Sequence, residues 1–189
     1  MDIAQEKKFY TPEEYLALER KAEYKSELIY GEIIAMAGTS RQHIIITGAL
    51  YTEIKNRIKS KPCQVYFTDI RVAIQKTGLY TYPDIIIACG KEEFLDTHLD
   101  TLLNPTCIIE VLSDSTEKYD RGDKFLHYQS IESLQEYFLV SQNKKLVEKF
   151  KRSEKNWIYT SYSEENAEIP FDSANVSIIL SEIYGNMEI

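Results

Sequence analysis

Two carboxylates in apolar surroundings are the residues of this chain most suited to chemistry. Asp84 heads the run Tyr-Pro-Asp-Ile-Ile-Ile-Ala-Cys, and Glu110 stands inside the run Cys-Ile-Ile-Glu-Val-Leu. Charged side chains are rarely buried without a partner, and an isolated carboxylate in an apolar setting takes up a proton instead. Glu110 therefore requires a cation, either a metal ion or a salt-bridge partner such as Arg71 or Lys124.

The two runs that carry these carboxylates are typical of buried strands, because near-continuous apolar residues indicate strands covered on both faces. Alternation places Asp84 on the same face as Ile86, and Glu110 on the same face as Leu112. If the strands are neighbours, the two carboxylates converge. Oxygen ligands of this kind suit Mg²⁺ or Mn²⁺, and such an ion can generate a nucleophilic hydroxide.

The segments before the first run predict a helix, a hairpin and a second helix. Thr11 and Glu14 form a capping box for a short helix that we expect to end near Lys25. Two apolar arms around Gly31 predict a tight hairpin, with Glu27 on its first arm. Apolar residues at spacings of three and four then predict a helix over residues 40–59.

The remaining pattern predicts further strands and one more helix. Residues 64–74 are expected to form one strand, with Asp69 and Arg71 on the side of Val65 and Phe67. Residues 92–104 are a polar connector with one helical turn, and Asp120 or Asp123 caps the next helix. Residues 136–141 are a buried strand, followed by an exposed meander. The fold class is therefore α/β, a mixed central sheet flanked by helices.

Length and composition predict one globular domain spanning residues 1–189. The chain is 43% hydrophobic, and 22 Lys+Arg against 30 Asp+Glu give a net charge of 22 − 30 = −8. This charge repels polyanions at long range, so a phosphate substrate needs a bound metal or a local basic patch.

No signal region or membrane span is expected, and Cys63, Cys89 and Cys107 are interpreted as reduced cysteines of a cytoplasmic protein.

Several motifs together resemble the Uma-two family of restriction-endonuclease-like proteins, within the PD-(D/E)XK nuclease superfamily. They are Tyr-Pro-Asp84, Ile-Ile-Glu110-Val-Leu-Ser, Asp120-Arg-Gly-Asp-Lys124, Leu134-Gln-Glu-Tyr and the hairpin motif Glu27-Leu-Ile-Tyr-Gly-Glu. The resemblance implies a restriction-endonuclease-like fold and Mg²⁺-dependent (or Mn²⁺-dependent) cleavage of phosphodiesters.

The resemblance also implies roles for individual residues. Asp84 and Glu110 would be metal ligands, and the backbone carbonyl of Val111 would complete the protein's share of the metal shell. The pattern places a lysine two residues after the glutamate, where this chain has Leu112. Lys124 on the following helix is the replacement candidate, and Glu27 is an additional acidic contributor.

Three functions remain open from the sequence. The first is a nuclease acting on nucleic acid, with DNA preferred over RNA. The others are a catalytically inactive nucleic-acid-binding or oligomeric module of the same fold, and a hydrolase of small phosphodiesters. A homo-oligomer is expected, with a dimer as one form that the Tyr-rich composition could support. The chain lacks zinc-ligand spacing, a phosphate-binding Gly-x-x-x-x-Gly-Lys loop and a Gly-x-Ser-x-Gly elbow. His43 is interpreted as structural, and the basic clusters at 55–61 and 144–155 as solvated surface.

Overall fold

The structure, a computed structural model, describes residues 8–185 and 187. Within these residues, no helix has the length and apolar character needed to cross a membrane. The helices are α1 (Pro12–Glu19), α2 (Arg41–Arg57), α3 (Glu117–Arg121), α4 (Asp123–Gln129) and α5 (Leu180–Tyr184), with a 3₁₀ turn at Asp172–Ala174.

Thirteen strands form a five-stranded sheet, a six-stranded sheet and a two-stranded ribbon among the described residues. The strands are β1 (Ser26–Ile29), β2 (Glu32–Ala35), β3 (Cys63–Phe67), β4 (Arg71–Ile74), β5 (Leu79–Thr81), β6 (Ile85–Cys89), β7 (Thr101–Leu102), β8 (Cys107–Leu112), β9 (Glu136–Ser141), β10 (Val147–Ser153), β11 (Asn156–Tyr162), β12 (Glu168–Phe171) and β13 (Val176–Ile179). The five-stranded order is β2-β1-β5-β4-β7, and the six-stranded order is β11-β10-β9-β8-β6-β3.

The six-stranded sheet carries both apolar runs at its centre. Strand β8 pairs antiparallel with β6 and parallel with β9, so the sheet is mixed. Ile87 packs in the cluster that contains Leu50 of α2, whereas Ile86 packs in the cluster that contains Phe125 of α4. Helices thus cover both faces, and the predicted mixed sheet flanked by helices is confirmed.

Capping explains where the first two helices begin. The Thr11 hydroxyl accepts a hydrogen bond from the Glu14 backbone N–H, and the Glu14 carboxylate accepts one from the Thr11 N–H. Ser40 caps α2 by accepting from the His43 N–H. Helix α1 ends at Glu19, earlier than predicted, whereas α2 falls within the predicted range 40–59.

The prediction of one strand over residues 64–74 is wrong. Strand β3 ends at Phe67 and belongs to the six-stranded sheet, whereas β4 begins at Arg71 in the five-stranded sheet. Thr68 between them has a φ of 69°, in the left-handed region that strands do not use. The break removes the expected shared face, because Asp69 lies between the two strands and Arg71 lies on a strand of the other sheet from Val65.

The connector and the helix after β8 also differ from prediction. Residues 92–104 form the short strand β7, a bridge between Phe94 and Leu102 and a single hydrogen-bonded turn from Asp96 to Leu99, but no helix. The predicted single helix is two helices separated by Gly122, and α4 has no side-chain cap hydrogen bond.

The prediction of three reduced cysteines is also wrong. Cys63 and Cys89 are directly opposite in the β3–β6 pair and form a disulfide, while Cys107 is free and buried. The two bonded cysteines are 26 positions apart in sequence. Their contact depends on strand register, which cysteine count and spacing do not reveal.

Candidate functional site

Asp84 and Glu110 meet where β6 and β8 pair. Asp84 lies one residue before β6, and its backbone N–H donates to Glu110 Oε2 at 3.3 Å. The Val111 N–H in turn donates to Asp84 Oδ2 at 2.7 Å. The two strands are neighbours, which is the condition on which convergence of the carboxylates depended, and these hydrogen bonds bring the two residues together.

Lys124 reaches the same place from α4. Its Nζ lies 2.9 Å from Glu110 Oε1, 3.4 Å from Asp120 Oδ1 and 3.6 Å from Glu27 Oε1. The side chain is only 6% exposed. Lys124 is therefore the buried cation that Glu110 requires. Arg71, the other candidate, instead places its Nη2 2.6 Å from Asp100 Oδ2.

Glu27 is delivered by the β1–β2 hairpin. Tyr30 and Gly31 have φ values of 49° and 82°, as a tight two-residue turn requires. Glu27 lies on β1, is buried, and accepts hydrogen bonds from the Thr81 hydroxyl and the Tyr82 backbone N–H. The hairpin thereby adds a third carboxylate beside Lys124.

Three residues at this place were not among the predicted site residues. His43 Nε2 lies 3.0 Å from Asp84 Oδ2, although its position at a helix start favoured a structural role. The Tyr128 hydroxyl donates to Glu110 Oε1 at 2.8 Å. Asp120, expected only as a possible cap, contacts Lys124. The signal that could have found Asp120 and Tyr128 is their spacing of four residues on either side of Lys124.

The charges around Lys124 do not balance. Burial raises the pKa of Glu110 to about 8, although the Lys124 ammonium acts in the opposite direction. Burial also raises the pKa of Asp120. Burial alone would lower the pKa of Lys124, but Glu110 and the other neighbouring groups raise it well above its usual value. Lys124 therefore stays charged, and three carboxyl groups share one ammonium.

This donor set fits a hard divalent cation with water ligands. Within the described part of the chain, no three His, Cys, Asp or Glu side chains converge closely enough to form a metal cage. Mg²⁺, however, is typically bound by one or two carboxylates and keeps several waters. In an antiparallel pair the N–H and C=O of one residue point the same way, so the Val111 carbonyl faces the side of Asp84. Asp84, Glu110 and Val111 would supply that partial shell.

A cavity of about 370 Å³ opens beside these groups. Its lining includes Glu27, Asp84, Glu110 and Lys124, together with residues 34–39 of β2 and the segment after it. Ser113, Ser115 and Thr116 also line it. The Tyr119 side chain also lines the cavity, and among the described residues its hydroxyl is buried without a hydrogen-bond partner.

Comparison with known proteins agrees with this architecture. The model of the Uma2 family, described as "Putative restriction endonuclease", matches residues 12–178. Two uncharacterized proteins of Synechocystis sp. (strain ATCC 27184 / PCC 6803 / Kazusa) are similar. The protein sll1609 is 36% identical over 87% of this chain and 93% of its own length, and slr1290 is 33% identical over 92% and 90%.

A solved structure shares the fold. It is the crystal structure of "a putative nuclease belonging to DUF820" from Anabaena variabilis, with a TM-score of 0.76 and 20% identity, covering 92% of this chain and 96% of that one. The family match spans most of the described chain, including every residue assembled above. The chain therefore belongs to the Uma2 family of restriction-endonuclease-like proteins.

Proposed function

We propose that this protein is a metal-dependent nuclease that hydrolyses phosphodiester bonds, with DNA as its substrate. The observation that carries the proposal is the position of Lys124. The superfamily pattern places its lysine at position 112, which in this chain is a buried leucine. Lys124 Nζ instead lies 2.9 Å from Glu110 Oε1. A lysine from another element thus stands beside the carboxylate pair Asp84 and Glu110.

Each side chain has a proposed role. Asp84, Glu110 and the Val111 carbonyl would hold Mg²⁺ or Mn²⁺, and the bound ion would polarise a phosphate oxygen and lower the pKa of a water. Lys124 donates a hydrogen bond to the attacking water or to the charge that develops on phosphate oxygen. Glu27 holds the Lys124 ammonium in position.

Two pairs of matched variants test this proposal. Glu110→Gln and Lys124→Met are compared with Glu136→Gln and Lys149→Met, which alter a second buried pair with a 2.6 Å contact outside the cavity. Plasmid or oligonucleotide cleavage is measured with Mg²⁺ and with Mn²⁺, below the melting temperature of every variant. We expect the first pair to lose about 100-fold or more in rate and the second pair to retain activity. Equal cleavage by wild type and Glu110→Gln would show that the proposal is wrong.

The contact between Lys124 and Glu110 also favours a second candidate, an inactive nucleic-acid-binding module of the same fold. In that case the ammonium serves as the permanent counterion of Glu110, and no metal is needed. Thermal unfolding with increasing Mn²⁺ separates the two candidates. A nuclease site predicts that Mn²⁺ raises the melting temperature of wild type but not of Asp84→Asn. An inactive module predicts no shift for either.

We further propose that residues 1–189 act as one domain, that the protein is a homodimer, and that it works in the cytoplasm. Light scattering on the purified chain tests the dimer, and cell fractionation tests the location. The Cys63–Cys89 disulfide counts against this location, because disulfides are rare in cytosolic proteins, so recovery of the protein from the cytoplasmic fraction is the result that the location proposal requires.

A further inference from the structure

One polar group beside the carboxylates has no partner in the protein. The hydroxyl of Tyr119 is enclosed, and among the described residues it makes no hydrogen bond. A buried donor without a partner destabilises a fold, so native proteins contain few of them. The Tyr119 side chain lines the same cavity as Glu27, Glu110 and Lys124. A molecule that enters this cavity can therefore supply the missing partner.

The break between α3 and α4 brings Tyr119 to Lys124. In an unbroken helix, residues five positions apart lie on different faces. Gly122 separates the two helices here, and its N–H donates to the Tyr119 carbonyl oxygen at 3.1 Å. The Lys124 Nζ lies 5.9 Å from the centre of the Tyr119 ring, within the range of a cation–π attraction. The ring is thus held beside the Lys124 ammonium.

The surroundings of the hydroxyl keep it protonated. Burial raises the pKa of Tyr119, and the charge of Glu27 raises it further, whereas Lys124 acts in the opposite direction. The charges of Asp120 and Glu110 also raise this pKa. The hydroxyl therefore lies within the field of the site's charged groups, and it is a hydrogen-bond donor rather than a base.

The carboxylate oxygens around Tyr119 are occupied by other donors. Glu110 Oε1 accepts from the Tyr128 hydroxyl, and its Oε2 accepts from a backbone N–H. Glu27 Oε1 accepts from the Thr81 hydroxyl and from a backbone N–H. The acceptor that fits Tyr119 is therefore an oxygen of a bound molecule.

A phosphate supplies such oxygens, and the cavity offers it few charged donors. Lys124 is the only lysine or arginine among the described lining residues, and it contacts three carboxylates. A neutral hydroxyl can donate to a phosphate oxygen without bringing a further charge into the enclosed site. Tyr119 thus has the donor that a phosphate beside Lys124 requires.

We propose that the Tyr119 hydroxyl donates a hydrogen bond to a non-bridging oxygen of a phosphate bound in this cavity. Tyr119 is then a substrate-binding residue of the proposed nuclease, and this role rests on that function for its cleavage readout. The stability and phosphate-binding readouts do not depend on cleavage.

Tyr119→Phe tests the proposal first through stability. Without metal or phosphate, we expect the melting temperature to rise by about 2–4 °C, because the substitution removes a buried group that has no partner. Tyr184→Phe is the control and should lower the melting temperature, since the Tyr184 hydroxyl donates to the Ser141 carbonyl oxygen. A fall for Tyr119→Phe would show that the hydroxyl already has a partner within the protein, and would overturn the inference.

Phosphate binding is measured by adding inorganic phosphate in the presence of Mg²⁺ at constant ionic strength. We expect phosphate to raise the melting temperature of wild type and to bind Tyr119→Phe about tenfold more weakly. Equal phosphate affinities for the two proteins, or no shift in wild type, would overturn the inference.

Cleavage of an oligonucleotide separates this inference from the nuclease proposal. We expect kcat/KM to fall about tenfold in Tyr119→Phe and to stay unchanged in Tyr184→Phe. If wild type cleaves nothing but phosphate binding depends on Tyr119, the nuclease proposal fails and this inference stands. If wild type and Tyr119→Phe cleave equally, this inference fails and the nuclease proposal stands.

Discussion

At the scale of single residues, the position of Glu110 depends on two donors to one oxygen. Lys124 Nζ lies 2.9 Å from Oε1, and the Tyr128 hydroxyl donates to the same atom at 2.8 Å. Because Glu110 is only 3% exposed, loss of either donor leaves its Oε1 with one hydrogen bond fewer and little water to replace it. The orientation of the carboxylate is therefore set by α4.

Tyr128→Phe tests this dependence. We expect the free energy of unfolding to fall by about 1–3 kcal/mol, because the substitution removes one donor to a buried carboxylate. Cleavage activity should fall more than stability explains, because Glu110 loses part of its positioning. Denaturant unfolding and cleavage rates are measured on the same preparations.

The matched control is Tyr184→Phe. Tyr184 is 1% exposed, and its hydroxyl donates to the Ser141 carbonyl oxygen at 2.9 Å, outside the cavity. Its loss should cost comparable stability but leave cleavage unchanged. If Tyr128→Phe cleaves at the wild-type rate, the hydroxyl does not position Glu110 for the reaction.

The sequence predicted part of this residue cluster. Asp84 and Glu110 were recognisable because an acidic residue in an apolar strand is unusual, and Lys124 followed from the resemblance. His43 and Tyr128 were not predicted as site residues, because their contacts depend on how α2 and α4 pack on the sheet. A histidine near a helix start and a tyrosine on an amphipathic helix do not by themselves reveal such packing.

At the scale of elements, Asp100 joins three parts of the chain. Arg20, just after α1, donates to Asp100 Oδ2 from Nε at 2.9 Å. Arg71 of β4 places its Nη2 2.6 Å from the same oxygen. The hydrogen bond from Arg20 holds the pKa of Asp100 well below its usual range, with Arg71 adding to the effect. Helix α1 is thereby fixed to the five-stranded sheet and to the connector before β8.

This lowered pKa predicts a pH dependence of stability. A carboxyl whose pKa is depressed by folding stabilises the protein at pH values above its ordinary pKa of about 4, and the contribution is lost as the pH falls. Asp100→Asn should therefore lower the free energy of unfolding at pH 7 by about 2 kcal/mol. The difference from wild type should shrink progressively as the pH falls below about 4.

Denaturant unfolding across the acid range checks this prediction. The control is Asp69→Asn, which removes a carboxylate that is 80% exposed and paired with Lys25. A surface pair of this kind contributes little, so its loss should change stability less than Asp100→Asn does. A stability difference for Asp100→Asn that stays constant from pH 7 to pH 2 would contradict the assigned role.

The disulfide between β3 and β6 leads to a prediction that can be tested without an activity assay. Thiol titration of the denatured, unreduced protein should find one thiol, that of Cys107, and three after reduction. Reduction should lower the free energy of unfolding by about 3 kcal/mol, since it releases the loop that the bond closes. A Cys63→Ser, Cys89→Ser double variant should show no response to reductant. Three thiols before reduction would mean that the bond does not form.

The elements differ in how much the sequence reveals about them. The hairpin at Gly31, the long helix α2 and the central strands β6, β8 and β9 were predicted because turn chemistry, helical spacing and apolar runs are local signals. The break at Thr68 and the pairing of Cys63 with Cys89 were not, since both depend on which sheet each strand joins. The ribbon β12–β13 and helix α5 carry signals too short to identify without their packing partners.

At the scale of the whole molecule, the net charge of −8 is accompanied by extensive internal pairing of the basic side chains. The two basic clusters of the sequence are largely engaged within the protein. Their partners include Glu53 and Glu182 for Arg57, the Asn175 carbonyl for Lys61, Glu165 for Lys145, Glu136 for Lys149, Asp172 for Lys151 and the Leu134 carbonyl for Arg152. The other members, Lys55, Lys59, Lys144 and Lys155, are exposed, so the two clusters combine structural contacts with solvated charges.

This charge distribution predicts how nucleic-acid binding depends on salt. For single strands the logarithm of the affinity falls with the logarithm of salt concentration with a slope of about −0.7 for each phosphate neutralised. If a strand contacts the protein only at the cavity, where Lys124 is the only lysine or arginine among the described lining residues, about one to three phosphates are neutralised and the slope should be about −1 to −2. Anisotropy titrations of a labelled single strand at increasing KCl measure it. A slope of about −5 or steeper would require a basic surface of many phosphate contacts, and the cavity walls would then not be the main source of affinity.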